Sequence, residues 1–472
     1  MRRTLEPRDW GLGADAAGRL TIGTVAVADM ARAFGTPLHV LHEERLEATA
    51  AGFRRSMESA YPGRTSVHYA LKCNAVPAVV EAVRRGGLKA EVMSPFELEL
   101  ALHLGYGGED IVVNGPGKTA SFLRAAIDRR VRLINVDSLG ELALVHELAQ
   151  AARNRVDVLL RVNPDFVPKG MNAGSATGSR KGCAFGLDLR GGEVRTALGM
   201  IQSSPGLRFR GFHFHIGTGI RDAKAHAQVL DRLTPLFRET RAAGLPVEVL
   251  DVGGGFASPT AREMTSRELL VYQGFGRLPA GVSGGDCGSF DDFAGAIAGA
   301  LLRIFPRNEL PELISEPGRS IASPNQFLLL SVSQVKARPN VRTWLITDGG
   351  LGTVTLPTFY ECHEVLLADD VRRPRTERVT IVGPVCFASD VVYRNIRMPE
   401  VRPGEVLAVM DSGAYFIAQE SSFGFPRPAV VAVKGNACRL VRRRETFADL
   451  TGRDHLAAPG AIQEEDHEIR PR

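Results

Sequence analysis

The sequence has few cysteines, no long apolar run and little net charge, and each of these absences excludes a class of protein. Six cysteines are spread over 472 residues, and none forms a CxxC pair or has the spacing of zinc ligands. No apolar stretch approaches the ~20 residues of a membrane-spanning helix. The formal net charge is only +5, and the densest basic run, Arg442–Arg444, is more typical of a solvated face than of a nucleic-acid site. We therefore expect no metal site, no nucleic-acid partner and no membrane span.

The beginning of the sequence lacks an export signal, because no apolar segment follows Arg2 and Arg3. Without such a signal the cysteines are expected to be reduced thiols, and the protein to be cytoplasmic. A length of 472 residues exceeds one compact core and predicts two or three domains.

From about residue 67 to about 320, short β-rich runs alternate with helical stretches, of which 97–104 and 140–151 are the clearest. Eight such units over about 250 residues predict a (β/α)8 barrel, and a doubly wound open sheet is the alternative. The predicted strands are Val67–Leu71, Lys89–Met93, Ile111–Asn114, Leu133–Val136, Val156–Val162, Phe209–His215, Val247–Val252 and Leu313–Ser315.

After residue 320 strand-like runs dominate, which predicts a β domain. The runs are Gln326–Val335, Thr343–Asp348, Val379–Val382, Val406–Met410 and Ala429–Val433. The first 40 residues carry a similar run, Leu38–Leu41, and are predicted to complete that domain. We therefore expect an N-terminal segment at 1–40, a barrel at 41–320 and a β domain at 321–472. The segment Phe256–Phe290 is rich in glycine and serine and is predicted to be an active-site insertion or a mobile loop.

Lys72 ends the first predicted barrel strand, and active sites of such barrels lie at the carboxyl ends of the strands. A lysine amine in a partly desolvated site can form a Schiff base with a carbonyl cofactor. The alternative is a lysine that only reaches water.

His213 and His215 are two residues apart on a predicted strand, so both could point inward. They could bind a metal, as in metal-dependent hydrolases, or one imidazole could stack on a flat aromatic cofactor. The third interpretation is a hydrogen-bonded core histidine. The lack of further His and Asp ligands favours stacking.

Two more motifs follow the last predicted strands. The glycines Gly253–Gly255 let backbone N–H groups approach an anion, at the place where barrels often bind phosphate; a tight turn is the alternative. Glu316 could hydrogen-bond a protonated pyridine nitrogen, and Arg319 could bind a phosphate or a carboxylate. An ion pair that closes the barrel is the other interpretation of these two residues.

Taken in order, these motifs resemble those of the fold-type III pyridoxal-phosphate (PLP) decarboxylases, the group of diaminopimelate, ornithine and arginine decarboxylases. The resemblance runs from about Thr36 to about Asp449, and Ser138–Leu142 and Glu316–Ile321 are most similar to the diaminopimelate branch. The motifs are YALKCN (Tyr69–Asn74), HIGTG (His215–Gly219), DVGGG (Asp251–Gly255), EPGR (Glu316–Arg319), GPVCFASD (Gly383–Asp390) and GAY (Gly413–Tyr415).

The resemblance implies an amino-acid decarboxylase with PLP as its cofactor and an (α/β)-barrel that binds it. Lys72 would hold PLP as a Schiff base, with Glu91 beside it and His215 stacked on the ring. Glu316 would pair with the pyridine nitrogen and favour its protonated form, in which the ring best accepts the electrons left by CO2. The residues expected around the phosphate are Thr218, Gly253, Gly254, Gly255, Gly318, Arg319 and Tyr415.

The resemblance also implies a homodimer whose active sites are shared, with Cys386 of a second subunit helping to protonate the product. Racemases of the same barrel place an arginine at the pyridine nitrogen, so Glu316 argues against a racemase. A non-catalytic relative is a further alternative, which retention of the cofactor residues disfavours.

Two positions depart from the diaminopimelate branch. Its C-E-S motif is Cys386-Phe387-Ala388 here, and the arginine of its R-P-x-L-Y motif is Leu356. At ~1.5–3 kcal/mol per charged hydrogen bond, loss of both groups should weaken diaminopimelate binding by several kcal/mol.

We therefore expect a different substrate. It would be a less polar amino acid, or one whose far end is recognised by Glu361, Cys362 or the segment 256–290. A lysine- or ornithine-like amino acid and a carrier-tethered one are alternatives. The residues expected to contact the substrate are Arg319, Tyr360, Glu361, Phe387 and Tyr415.

Overall fold

The computed structural model describes residues 5–168, 171, 179–279, 287–354 and 360–454. Two large sheets organise this part of the chain, a closed barrel of parallel strands and a mixed sheet of mainly antiparallel strands. The predicted fold, a barrel joined to a β domain, is confirmed. Among the described residues, none of the helices combines the length and the apolar composition required of a bilayer span.

The N-terminal segment contains a small antiparallel sheet, one helix and a longer strand. The buried Trp10 fixes its start, because its indole nitrogen donates to Asp411 at 2.8 Å. The elements are β1 (Gly13–Ala14), β2 (Leu20–Ile22), β3 (Val25–Ala26), α1 (Val27–Phe34) and β4 (Leu38–His42).

The barrel has eight parallel strands and closes through pairing of β8 with β9 and of β14 with β5. Its strands are β5 (Thr65–Ala70), β6 (Lys89–Val92), β7 (Ile111–Val113), β8 (Leu133–Val136), β9 (Val156–Asn163), β11 (Leu207–His213), β12 (Val249–Asp251) and β14 (Glu312–Ser315). Two short strands accompany them, β10 (Leu187–Asp188) and β13 (Arg262–Glu263).

Helices alternate with these strands, and five of them, α4, α5, α6, α9 and α10, begin at a Ser or Thr whose side chain caps the helix. Ser94 and Ser138 each accept a backbone N–H from the residue three positions later, as N-cap residues do. The helices are α2 (Glu43–Ala60), α3 (Pro77–Arg85), α4 (Pro95–His103), α5 (Ala120–Asp128), α6 (Leu139–Ala151), α7 (Glu193–Gln202), α8 (Lys224–Ala242), α9 (Ser266–Phe275), α10 (Phe290–Ile304) and α11 (Arg319–Ala322).

The second sheet has the strand order β20-β19-β16-β15-β4-β22-β23, and β21 pairs with both β15 and β18. The N-terminal strand β4 therefore lies inside this sheet, between β15 and β22. The remaining elements are β15 (Gln326–Arg338), β16 (Arg342–Thr347), β17 (Glu361–Cys362), β18 (Val365–Leu367), β19 (Glu377–Val382), β20 (Val391–Met398), β21 (Val406–Val409), α12 (Phe416–Gln419), β22 (Ala429–Lys434), β23 (Ala437–Arg442) and α13 (Phe447–Thr451).

Three features differ from the sequence predictions. Lys72 lies in a single 3-10 turn, Leu71–Cys73, instead of on the strand. The strand that carries His213 ends there, so His215 is two residues past it. The described part of the segment 256–290 is not a plain loop, because it contains α9 and the strand β13, which pairs with β17.

Candidate active site

The carboxyl ends of parallel strands meet at one edge of the barrel, and there Lys72 and Glu91 form an ion pair. The Lys72 Nζ donates to Glu91 Oε2 at 2.6 Å, and the lysine side chain is 32% exposed whereas the glutamate is 1% exposed. Burial acts to lower the pKa of Lys72, but the carboxylates of Glu91 and Glu316 outweigh it and raise that pKa. Burial also raises the pKa of Glu91, against the effect of Lys72. The amine thus reaches the barrel mouth while held by a buried acid.

Glu316 follows β14 and is buried below the mouth. The Asn114 Nδ2 donates to both of its oxygens, at 2.9 and 3.1 Å, and the His213 Nε2 lies 3.6 Å from Oε2. Burial acts to raise the pKa of Glu316, but His213 and Lys72 outweigh it, so the pKa lies below its ordinary value. Burial and then the proximity of Glu316 raise the pKa of Asp251. The two carboxyl groups share one negative charge, which we assign to Glu316.

The described residues hold one group of side chains with metal-ligand character, formed by His213, Asp251 and Glu316, whose donor atoms lie within 4.8 Å of one another. Their carboxylate oxygens already accept N–H groups. Asn114 donates to Glu316, while Asn135 Nδ2 and the Gly253 backbone N–H donate to Asp251 at 3.2 and 2.9 Å. N–H donors aimed at these oxygens fit a hydrogen-bond network better than a cation.

His215 has a different environment from His213. The backbone N–H of Gly254 donates to His215 Nδ1 at 3.2 Å, so the proton of the neutral ring is on Nε2. Burial, then the charges of Arg161 and Lys72, lower the pKa of His215 to about 3. The structure therefore provides a neutral imidazole at the strand ends, and it keeps His213 buried in the barrel at 1% exposure.

The glycine run after β12 turns between neighbouring strand ends. Gly253 and Gly255 have φ angles of 65° and 90°, which glycine adopts without strain. A Cβ on Gly254 would overlap the carbonyl oxygen of Glu316. Gly253–Gly255 therefore form a tight turn, and because they have no side chains they leave a surface made of backbone atoms.

Arg319 is held by several groups at the start of α11. Its Nε donates to Thr218 Oγ1 at 3.2 Å and its Nη1 to Glu361 Oε1 at 2.7 Å. Its guanidinium carbon lies 5.1 Å from the centre of the Tyr415 ring. Gly318 precedes it and packs on Cys73, where an added Cβ would be 2.9 Å from the cysteine Cβ. Arg319 is thus fixed beside the turn that carries Lys72.

The second oxygen of Glu361 lies 2.7 Å from His363 Nε2, and His363 Nδ1 lies 2.8 Å from the carbonyl oxygen of Met410. Glu361 is 1% exposed, and both of its oxygens have protein partners. A distal ammonium of the substrate would have to share this carboxylate with Arg319 and His363.

Tyr415 reaches the site with a strained backbone, since its φ is 66°. Its N–H donates to the carbonyl oxygen of Cys73 at 2.9 Å, which holds the ring next to the turn of Lys72. Positive φ at a bulky residue persists where the surrounding structure holds it, and it is concentrated at functional sites.

Two predicted site residues lie apart from this cluster. Cys386 and Phe387 are exposed on the loop between β19 and β20, and within the described ranges no hydrogen bond joins either of them to Lys72, Glu316 or Arg319. The Phe387 ring instead lies 6.1 Å from that of Phe423. Tyr360 is half-buried at the site, whereas Leu356 lies outside the described residues.

The structure adds residues that the sequence predictions did not include, namely Asn114, Asp251, His363 and Glu263, whose negative charge helps to raise the pKa of Arg319. Asn114 and Asp251 could have been suspected, because each is a polar residue at the end of an apolar strand run. Glu263 and His363 gave no such signal. Glu263 lies in a two-stranded ladder that neither segment predicts alone, and His363 directly follows the second strand of that ladder.

Residues 48–323 match the family described as "Pyridoxal-dependent decarboxylase, pyridoxal binding domain". The chain is 31% identical over 444 residues to diaminopimelate decarboxylase of Methanocaldococcus jannaschii, covering 93% of this chain and 95% of that protein. It is 33% identical over 456 residues to diaminopimelate decarboxylase of Actinosynnema pretiosum subsp. auranticum, covering 95% and 96%.

A crystal structure of the M. jannaschii enzyme in complex with L-lysine superposes with a TM-score of 0.83 at 29% identity, covering 94% of this chain and 98% of the other. These relatives favour diaminopimelate-type decarboxylation over the alternative substrates. The cofactor is PLP and the reaction is removal of CO2 from an amino acid, because this chain belongs to the pyridoxal-dependent decarboxylase family of fold type III.

Proposed function

We propose that this enzyme decarboxylates a diamino acid of the diaminopimelate type and that Lys72 bonds the aldehyde carbon of PLP. The observation that carries the proposal is the position of the Lys72 amine at the strand ends, 2.6 Å from Glu91 and next to Glu316. The relatives named diaminopimelate decarboxylase support the substrate.

The residues present fit PLP. Glu316 is an ionised buried acid that can keep a pyridine nitrogen protonated, and the neutral ring of His215 offers a flat face. Gly253–Gly255, Thr218 and Arg319 offer donors for a phosphate next to a surface without side chains. When bound, PLP accepts the electron pair left at Cα as CO2 departs.

Around that chemistry the chain's own groups orient the reactants and hold protons. The charge on Glu316 favours the protonated ring nitrogen, while Asn114 fixes the orientation of its carboxylate. Glu91 accepts a hydrogen bond from the Lys72 amine and so holds that amine in place at the strand ends.

A second candidate substrate is a less polar or carrier-tethered amino acid. It is favoured by Phe387, which replaces the glutamate of the C-E-S motif with an exposed aromatic ring (50% exposed). Recognition of an ornithine-like ammonium by Glu361 has less support, because both of its oxygens already have partners.

The experiment combines cofactor trapping with a substrate panel. Borohydride reduction followed by peptide mass spectrometry should place a pyridoxyl group on Lys72, and the Lys72→Ala variant should retain none. Release of CO2 from meso-diaminopimelate, but not from neutral amino acids, would support the diamino acid. Turnover restricted to apolar or carrier-bound amino acids would refute it.

We also propose a homodimer in which Cys386 completes the site of the partner, and a cytoplasmic location. The exposure of Cys386, Phe387 and Phe423 supports the homodimer with shared sites. The six free cysteines support the cytoplasmic location. Mixing inactive Lys72→Ala and Cys386→Ala dimers should restore about one quarter of wild-type activity, because half of the random dimers would hold one intact site. No recovery from dimers proven to exchange subunits would contradict shared sites.

A further inference from the structure

A histidine of helix α8 holds the glycine run after β12. The His226 Nε2 lies 3.2 Å from the carbonyl oxygen of Gly254. Because a carbonyl oxygen can only accept a hydrogen bond, the proton of the ring is on Nε2 and His226 donates. The ring is buried and neutral, since burial lowers the pKa of His226 to about 4. His226 is thus a fixed donor to the backbone of the run.

The surroundings of His226 are aromatic and would suit an apolar ring. The imidazole stacks on Phe256, with ring centres 4.8 Å apart and an interplanar angle of 8°, and it meets Phe293 edge-on at 5.9 Å. Its Nδ1 is buried and has no hydrogen-bond partner among the described residues, which is unfavourable for a polar atom. The hydrogen bond to Gly254 is therefore what distinguishes His226 from a phenylalanine at this position.

This bond fixes the peptide unit between Gly254 and Gly255. The unit is trans, so its C=O and its N–H point in opposite directions. With the Gly254 carbonyl turned towards α8, the Gly255 N–H is directed away from that helix. Within the described ranges no group of the protein accepts from this N–H. Gly255 packs on the loop after β11, because an added Cβ would overlap the carbonyl oxygen of Gly217. A free backbone donor therefore lies next to that loop.

The preceding peptide unit is held from a second element. The Gly254 N–H donates to Nδ1 of His215, on the loop after β11, at 3.2 Å. Two neutral imidazoles thus fix both peptide units of Gly254, although glycine alone has wide conformational freedom. The same loop carries Thr218, whose hydroxyl oxygen accepts from Arg319 at 3.2 Å. The donors expected around a phosphate are therefore set in place by the protein itself.

We propose that His226 is a positioning residue for the phosphate of PLP, because its bond to the Gly254 carbonyl presents the Gly255 N–H to a phosphate oxygen. The inference rests on the proposed function and deepens it, since it names a residue that preorganises the phosphate site. His226 itself contacts neither cofactor nor substrate. Its loss should weaken binding of the phosphate group and leave the chemistry at Lys72 unchanged.

The test compares His226→Phe, which keeps a stacking ring but removes the donor, with His226→Gln, whose side-chain N–H can replace it. His146→Phe, on helix α6, controls for exchange of a histidine on another barrel helix. The apoenzymes are titrated with PLP and with pyridoxal, which has the same ring and aldehyde but no phosphate. The 31P resonance of bound PLP and kcat at saturating PLP are measured in parallel.

We expect His226→Phe to bind PLP about three- to tenfold more weakly, the scale of one neutral hydrogen bond, and to shift the 31P resonance. Pyridoxal affinity and kcat at saturating PLP should change less than about twofold, because the ring and aldehyde keep their partners. His226→Gln should recover most of the PLP affinity, and His146→Phe should behave as wild type. If the phenylalanine variant folds poorly, His226→Met removes the donor with a flexible side chain and allows the same comparison.

A folded variant without the donor that binds PLP as well as wild type would overturn the inference. Equal losses of affinity for PLP and for pyridoxal would also overturn it, since His226 would then support the fold in general and not the phosphate site. Failure of the proposed substrate is a separate outcome. In that case wild-type enzyme would release no CO2 from meso-diaminopimelate, while the difference between PLP and pyridoxal would persist.

Discussion

Replacement of Glu361 by alanine separates two roles for this residue, support of Arg319 and recognition of the substrate. Arg319 and Glu361 are 7% and 1% exposed, so removal of the carboxylate leaves a buried guanidinium and the His363 ring without their partner. Breaking a buried pair in this way costs about 3–5 kcal/mol. We therefore expect Glu361→Ala to lower the free energy of unfolding by that amount.

A graded series makes the measurement specific. Glu361→Gln keeps the shape but loses the charge, so we expect a smaller loss of about 1.5–3 kcal/mol. Glu248→Gln, at a partly exposed ion pair, should cost less than about 1 kcal/mol. Urea unfolding followed by circular dichroism measures all three, with KM measured in parallel.

The pH dependence gives an independent check. Burial raises the pKa of Glu361, but Arg319 and His363 outweigh it and hold the pKa below its ordinary value. The unfolded chain then binds the proton first, so this contribution is complete above about pH 4.3, the ordinary value, and is lost as the pH falls through the folded pKa. The difference between wild type and Glu361→Gln should shrink in that range.

A Glu361→Ala variant with an unchanged urea midpoint and a raised KM for diamino acids would refute this reasoning. It would show that the carboxylate contacts the substrate, as the sequence alone predicts.

Three further predictions concern the cofactor site. Gly254→Ala should destabilise the fold by about 1–3 kcal/mol, as overpacking does, because its Cβ overlaps the carbonyl oxygen of Glu316; an unchanged melting temperature and unchanged PLP affinity would contradict it. Glu316→Gln should retain PLP but lower kcat by at least about 100-fold, the scale of a lost electrostatic partner, and CO2 release near wild-type rate would be the contrary result. The free energy of unfolding should decline as the pH falls below about 6.5, because buried histidines with lowered pKa values are protonated only on unfolding. A free energy of unfolding that stays constant between pH 6.5 and 4 would disprove this. These histidines are His68, His213, His215 and His226, and burial is the main cause of the lowered pKa in all four.

Local motifs predicted much of the site because its residues follow strands. Lys72, the glycine run and Glu316 each come directly after an apolar run, and closure of the barrel brings such positions to one edge. The exposed Cys386 could be given a role only by resemblance, since its predicted partners belong to a second subunit.

The contacts of Arg319 could not be predicted in the same way. Its bond to Glu361 joins residues 42 positions apart, and the ladder that places Glu263 consists of strands of two residues each. A two-residue strand has no periodicity, so pairing and not sequence pattern defines it.

The domain boundaries at 40 and 320 stay predictions, although β4 lies in the second sheet.

Membership of β4 in the second sheet makes the two ends of the chain depend on each other. Strand β4 pairs with β15 on one side and β22 on the other, so a fragment that starts after His42 would leave both neighbours with unpaired backbone groups. Such open strand edges pair readily with other chains. During synthesis, β4 is made almost 400 residues before β22, and long-range pairing of this kind folds slowly. The last third of the chain can therefore complete its sheet only with a strand that was synthesised near the beginning of the chain.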